Sequence, residues 1–208
     1  MNIFFCGSKG KTGSIVFNYL KDKGYSMKEV DIDTLPLSQV ITDNSIVIDF
    51  TNKDAAYNHA LICLNNNSHF ICGTTAIPQE KIELLKRESA NKNLHFTFNP
   101  NFSLGINPIA KFINSLKETF PQTKIIESHH ISKKDLPSGT AILLKNSLFN
   151  DTIIDSIRTT FTSLDHTIIL KNEHEEITIT HSVKDKLAYA IGVENELIKI
   201  INKKNNGY

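Results

Sequence analysis

Tryptophan is absent from this 208-residue chain, methionine occurs twice and cysteine three times. The cysteines, Cys6, Cys63 and Cys72, are odd in number and show no C-x-x-C spacing. That excludes a disulfide framework and a cysteine zinc site, and it reads them as small buried hydrophobes in a reducing compartment. An excess of one charge is also missing. Lys and Arg number 23 against 22 Asp and Glu, so no strong field directs the surface toward nucleic acid or a membrane. No apolar run approaches the roughly 18 residues of a membrane span, and no charged-then-apolar leader opens the chain. The resulting expectation is a cytoplasmic protein with no nucleic-acid partner, no membrane partner and no metal site.

What is present suits a packed enzyme. A hydrophobic fraction of 40% supports a real core, and 22% charged residues is ordinary for a soluble fold. At about 150 residues per domain the length allows one large domain or two small ones. Short apolar runs at Asn2–Cys6, Ser26–Val30, Ser45–Phe50, His69–Cys72 and Leu94–Phe98 read as strands. Helical spacing lies between them, over Gly13–Leu20, Ala55–Leu64 and Gln79–Ala90. This alternation predicts a parallel, right-handed βαβ sheet. After Asn99-Pro100-Asn101 the pattern changes to a helix over Asn107–Glu118, a strand over Lys124–Ser128 and a helix from Thr140 to about Leu148. Strand-like runs then occupy Asp155–Val183, and a last helix spans Leu187–Ile201. The fold class expected is α/β: a Rossmann-type parallel-sheet dinucleotide-binding domain plus a smaller α+β domain with a mixed, mostly antiparallel sheet. The expected boundaries are 1–103 for the first, 104–182 for the second, and 183–208 for a C-terminal helix returning to the first.

Two segments carry chemistry. The first is Gly7-Ser8-Lys9-Gly10-Lys11-Thr12-Gly13, a G-x-x-G-x-x-G array between a strand and a helix. Glycines there allow a tight turn and close backbone approach to a pyrophosphate at the helix N-terminus. The array departs from G-x-G-x-x-G, and a plain turn is its structural alternative. An acid that bonds the adenosine ribose is expected about 20 residues on. Asp31 lies 18 residues after Gly13 and fits, with Asp33 as its competitor. A charge at Asp31 repels a 2′-phosphate, so NADH is expected to serve at least as well as NADPH. Gly73-Thr74-Thr75 and Asn99-Pro100-Asn101-Phe102 leave the carboxyl ends of two further strands, where ligands bind in such sheets. Phe102 has two readings, stacking near a nicotinamide or filling core.

The second segment is Glu127-Ser128-His129-His130-Ile131-Ser132-Lys133-Lys134-Asp135-Leu136-Pro137-Ser138-Gly139-Thr140-Ala141. It gathers cations and hydrogen-bond donors between a strand and a helix start, where backbone N–H groups favour anions such as substrate carboxylates. Histidine and lysine are competent proton donors near neutral pH. Consecutive strand residues point to opposite faces, so His129 and His130 share a pocket only if alternation breaks at the strand end. Ser138-Gly139-Thr140 reads as a carboxylate anchor, with a helix cap as the bland alternative.

The chain resembles the dihydrodipicolinate reductase (4-hydroxy-tetrahydrodipicolinate reductase) family of bacterial lysine and diaminopimelate synthesis. The matching blocks are Gly7–Gly13, Val47-Ile48-Asp49-Phe50-Thr51, Gly73-Thr74-Thr75, Asn101–Asn107 and Glu127–Ala141, in order over nearly the whole chain. The H-H-x-x-K-K-D-x-P-S-G-T-A block is the most specific.

The resemblance implies reduction of a small cyclic dicarboxylate by NADH or NADPH. The cofactor would be bound by Gly7, Ser8, Lys9, Gly10, Lys11, Thr12, Asp31, Phe50, Gly73, Thr74, Thr75, Asn99, Pro100, Asn101 and Phe102. Lys133 is then the proton donor and His129 a donor or acceptor. His130, Ser138, Gly139 and Thr140 hold the substrate, and a homotetramer packed through the C-terminal sheets is implied.

Departures from the family are Lys11-Thr12 where Arg-Met is frequent, Lys186 where an arginine is frequent, no glycine-rich turn around Arg158–Leu164, and a short Gly13–Asp49 region. Two rivals are a non-catalytic nucleotide-sensing protein, which need not keep His129, Lys133 and Thr140, and an aspartate dehydrogenase-like oxidoreductase, which the Pro-Ser-Gly-Thr turn disfavours.

Overall fold

The computed structural model describes residues 1–30, 35–160 and 164–205. The chain divides into two compact units, Met1–Phe102 with Tyr189–Tyr208, and Ser103–Ala188.

The first unit is built on β1 (Ile3–Cys6), β2 (Met27–Val30), β3 (Ile46–Asp49), β4 (His69–Cys72) and β5 (Phe96–Phe98), in the order β2-β1-β3-β4-β5. Every pairing is parallel. The unbroken apolar runs of β1 and β3 follow from this, because a parallel sheet covered on both faces buries every side chain. Successive residues alternate faces. Phe4, Val47 and Phe70 pack with Ala56, Ala60 and Cys63 of α3 (Lys53–Asn65) and Leu85 of α4 (Gln79–Asn91). Phe5, Ile46, Ile48 and Ile71 pack with Val16 and Leu20 of α1 (Gly13–Asp22) and with Ala190, Val193 and Leu197 of α7 (Leu187–Asn205). Each such buried aliphatic or aromatic side chain contributes about 1.5–3 kcal/mol. Asn52 caps α3 by accepting from the N–H groups of Asp54 and Ala55. Asn67 has a positive φ of 45°, as its loop-tip position predicts. The short α2 (Leu37–Val40) goes unpredicted because four residues are too few to display helical periodicity.

The second unit holds α5 (Ile106–Leu116), β6 (Gln122–His130), α6 (Gly139–Lys145), β7 (Ile153–Thr159), β8 (Leu164–Lys171) and β9 (Glu176–Ser182). Its sheet runs β7-β6-β8-β9. The β6–β7 pairing is parallel and the other two are antiparallel, the mixed, mostly antiparallel sheet expected. A parallel pair needs a crossover, and the segment containing Lys133 and α6 supplies it. One sheet face is dry, with Ile125, Ile168 and Leu170 against Ile106, Ala110, Ile113, Ala141 and Leu144. The opposite face leaves Ile153 and Ile157 61% and 46% exposed.

The strand containing the histidines is longer than predicted at both ends. Pairing continues through His129, opposite Arg158 and Leu164, so the pleat continues as well. Alternation therefore does not break: His129 is 5% exposed while His130 is open to solvent. Residues 161–163, within the region lacking the glycine-rich turn, lie outside the described residues.

Candidate functional sites of the two units

In the first unit, the loops leaving β1, β3, β4 and β5 share the carboxyl edge of the sheet. Gly7 has φ +87°, a region that L side chains rarely adopt, and a Cβ there would lie 2.5 Å from the Phe50 carbonyl oxygen. A Cβ on Gly13 would run into the Gly7 carbonyl oxygen. These two glycines are fixed by the fold of the loop. Gly10 differs, since a Cβ there meets nothing closer than 3.4 Å. The loop closes through the Gly10 N–H donating to the Gly7 carbonyl at 3.1 Å, and α1 then begins with neither a side-chain cap nor an acid in its first turn. Exposed Lys9 and Lys11 add positive charge. An uncapped helix start behind a glycine turn fits the pyrophosphate of a dinucleotide. Asp31 and its competitor Asp33 lie outside the described residues. Glu29 of β2 accepts a hydrogen bond from the Ser8 hydroxyl at 2.6 Å, a contact with the glycine loop that sequence reading missed.

A buried acid organises the neighbouring loops. Asp49, the last residue of β3, is 0% exposed. Its Oδ1 accepts from the Thr51 N–H at 3.0 Å, the Thr51 hydroxyl at 2.8 Å and the Thr74 hydroxyl at 2.9 Å. Its Oδ2 lies 2.6 Å from Nδ1 of His59 on α3. The Phe50–Thr51 and Gly73–Thr75 segments are thus tied to one carboxylate. Gly73 has a packing reason of its own, because a Cβ there would enter the Phe50 ring. Phe50 stacks on Phe5 at 6.1 Å with rings 7° apart, so its ring is committed to packing. Of the two roles open for Phe102, its ring takes the core one, at 4% exposure beside α7. The Asn101 N–H donates to the Asn99 side chain at 3.0 Å, shaping the turn around Pro100. Thr12 stands at the N-cap position of α1, and Thr75 is half-buried.

The second unit gathers its chemistry at one end of the inner sheet face. Residues two apart on a strand share a face, which sets Ile125, Glu127 and His129 in a row on β6 and His166, Ile168 and Leu170 in a row on β8. Glu127 is 0% exposed. Both of its oxygens accept from the Ser138 N–H at 3.1 Å, and the Arg158 Nη1 and Nη2 groups each stand 3.3 Å from Oε1. His129 Nδ1 approaches Oε2 at 3.3 Å, within charge attraction yet off hydrogen-bond alignment. The His129 and His166 rings meet edge to face at 5.1 Å. Ser138 is the N-cap of α6: its hydroxyl accepts from the Ala141 N–H and lies 3.2 Å from His166 Nε2. Its hydroxyl and N–H are therefore engaged inside the unit, as a helix cap requires. Gly139 and the buried Thr140 follow it as the first residues of α6. Lys133 Nζ lies 3.4 Å from Asp135 Oδ2, and exposed His130 pairs its Nδ1 with the Ser132 hydroxyl at 2.8 Å. Half-buried Lys186 precedes α7.

Charge states follow from these surroundings. Burial by itself would raise the Glu127 carboxyl, but His129, Ser138 and Ser156 outweigh it and hold the group well below the usual carboxylate range. Burial lowers His166 to about 4, helped by the nearby His129, so this imidazole is neutral at pH 7. Burial also lowers His181, opposed by Asp165. Among the described residues, Cys6, Asp49 and His59 form one group whose ligating atoms lie within 4.8 Å, and Glu127, His129 and His166 form another. In each the carboxylate is already engaged by hydrogen-bond donors, and Arg158 sets a second cation against Glu127.

Sequence reading missed Glu127, Arg158 and His166 in one unit and Asp49 and His59 in the other. The available signal was an acid or imidazole on the apolar parity of a strand, as in Ile125-x-Glu127-x-His129 and His166-x-Ile168-x-Leu170. Family comparisons give two matches. The descriptions "Dihydrodipicolinate reductase, N-terminus" and "Dihydrodipicolinate reductase, C-terminus" match residues 1–102 and 105–208. The 4-hydroxy-tetrahydrodipicolinate reductase of Thermosipho africanus is 32% identical, covering 97% of this chain and 92% of the relative. Among solved structures, the dipicolinate-bound dihydrodipicolinate reductase from Paenisporosarcina sp. TG-14 superposes with TM-score 0.74 at 20% identity, over 97% of this chain and 95% of that one. The WlbA dehydrogenase of Thermus thermophilus, in complex with NAD and UDP-GlcNAcA, reaches TM-score 0.55 at 11% identity over 94% and 88% of the two chains, a likeness of fold. With both halves matched from the first residue to the last, the chain belongs to the dihydrodipicolinate reductase family.

Proposed function

We propose that this chain catalyses the NAD(P)H-dependent reduction of 4-hydroxy-tetrahydrodipicolinate to tetrahydrodipicolinate, a step of lysine and diaminopimelate synthesis. The observation that carries the reading is the polar end of the second unit's sheet. There His129, the Lys133 loop and the start of α6 meet around one buried carboxylate, in a chain whose first unit presents a glycine loop at an uncapped helix. When bound, the reduced nicotinamide supplies the hydride. Everything else falls to the chain's own residues. The glycine loop and Lys9 or Lys11 hold the phosphates, and Gly10 leaves room for close backbone approach. Asp31, together with Glu29 of β2, favours the unphosphorylated ribose of NADH. His130, Lys133 and Lys134 surround the dicarboxylate with donors, while Gly139 and Thr140 supply the hydrogen bonds that orient it. Lys133 Nζ delivers the proton that completes reduction of the ring, the 4-hydroxyl group leaves as water, and His129 exchanges a proton beside it. The homotetramer reading assigns the open sheet face, with Ile126, Ile153, Ile157 and Ile169 among threonines, to contact with other copies of this chain.

The test is loss of NADH absorbance on adding substrate freshly generated by the preceding synthase. Turnover that depends on this substrate is expected. Absence of turnover with both NADH and NADPH would remove the reading.

A further inference from the structure

We infer that Arg158 and Glu127 are positioning residues for the reduction, an ion pair of a half-buried guanidinium and a fully buried carboxylate that fixes the loop carrying Lys133 and sets the ring of His129. The inference rests on the reductase reading. Nothing in a sheet packed against two helices calls for a charged pair at this depth. Apolar side chains of similar size would fill the same volume without the desolvation cost of two ions.

The hydrogen bonds show where the pair acts. Arg158 stands on β7 directly opposite His129. Its Nε donates to the Lys133 carbonyl at 3.4 Å, and its Nη2 donates to the Asp135 carbonyl. The same guanidinium faces Glu127 with Nη1 and Nη2. Glu127 in turn accepts the N–H of Ser138. The loop is therefore tied at the carbonyls on either side of Lys134 and at the amide that opens α6. A planar fork can reach two carbonyls and a carboxylate at once, which the single ammonium of a lysine cannot reproduce. Between these ties the Lys133 ammonium pairs with the exposed Asp135 carboxylate at 3.4 Å. The backbone ties, and not that surface pair, set where Nζ stands. Glu127 also faces the Nδ1 side of the His129 ring. Proton exchange with substrate is thereby assigned to Nε2, with a carboxylate behind the ring to stabilise its charged form.

The experiment compares wild type with Arg158→Ala, Arg158→Lys and Glu127→Gln in the full-length protein. Hydrogen exchange of the Ile131–Ser138 peptide, the NADH dissociation constant, and kcat and KM for the dicarboxylate are measured together. Arg158→Ala is expected to speed exchange across the loop and to lower kcat/KM by about 10²-fold, the cost of a misplacement near 1 Å. NADH binding is expected to change less than about twofold, since the first unit is untouched. Added methylguanidinium is expected to restore part of kcat and slow the loop exchange, whereas Arg158→Lys restores neither. Glu127→Gln is expected to shift the acid limb of the kcat/KM pH profile. Unchanged loop exchange in Arg158→Ala, or lost turnover with no rescue by methylguanidinium, would overturn the inference. A wild-type enzyme that fails to reduce the substrate counts against the reductase reading alone, because loop exchange still decides the pinning. If Arg158→Ala does not fold, loop exchange in Arg158→Lys and the pH profile of Glu127→Gln decide in its place, and wild-type behaviour in both would overturn the inference.

Discussion

Among the described residues each unit carries one fully buried carboxylate on an interior strand of its sheet, and the two are satisfied differently. Asp49 is surrounded by threonine hydroxyls, a backbone N–H and the His59 ring. Glu127 faces a guanidinium, the His129 ring and a serine amide. Asp49 ties the loops around the glycine turn through hydroxyl, amide and imidazole groups. Glu127 instead sets a carboxylate against a guanidinium and an imidazole, a charge able to stabilise the protonated ring. On the proposed reading, the first arrangement shapes a dinucleotide loop and the second supports proton transfer.

The largest effect that sharpens this contrast is on Lys133. Lys133→Ala should lower kcat by about 10²–10⁴-fold while NADH still binds as in wild type. Single-turnover kinetics beside a fluorescence titration with NADH reads both quantities. Unchanged turnover would place the proton source elsewhere.

Next in size is the pH response of the second unit. His166 titrates at about 4 when folded, against 6.5 for the unshifted group. Between those values the unfolded chain binds the additional proton, so stability rises with pH, and acidification from 6.5 toward 4 destabilises the fold. At full effect this amounts to about 3 kcal/mol. Melting curves over that window should flatten in His166→Gln, and an unchanged slope would show the imidazole is not held neutral. Glu127 has the same sign, its stabilisation being lost as pH falls below the ordinary carboxylate range.

The smallest effect separates two glycines of one loop. Gly13→Ala should lower the melting temperature, because the new Cβ meets the Gly7 carbonyl. Gly10→Ala should leave it nearly unchanged while raising KM for NADH by about tenfold, since the added methyl meets no close atom of the chain. Equal losses of stability in the two variants would erase the distinction between folding and binding glycines.

Much of the first unit was legible because parallel strands are buried on both faces, so the runs from Ile3, Ile46 and His69 stand out without alternation. The segment from Glu127 to Ala141 was legible through chemistry, since histidines, lysines and a Ser-Gly-Thr turn seldom gather by chance. The face of each histidine was harder to read. It depended on whether pairing with Arg158 and Leu164 reached the strand end, and those partners lie far off in sequence. Asp49 escaped notice for a similar reason. The expected strand Ser45–Phe50 already contained it, but its inward direction depends on Thr51, His59 and Thr74, the last of them 25 residues on. Ser138 shows the reverse, since its cap and its role in the site are one side chain seen from two sides, and sequence could not rank them.

The place of α7 bears on the order in which the protein forms during synthesis. Ala190, Val193 and Leu197 complete the core around Phe5, Val16 and Leu20, and the helix lies so close that a Cβ at Gly192 would strike the Phe102 carbonyl. The residues that finish the first unit thus leave the ribosome after the whole of Ser103–Ala188. The second unit contains its own sheet and core and can close earlier, while the nucleotide half waits with one sheet face covered by α1 without α7. A stop codon just before Tyr189 would therefore damage the half that the chain begins with, and leave the half made later with its core complete.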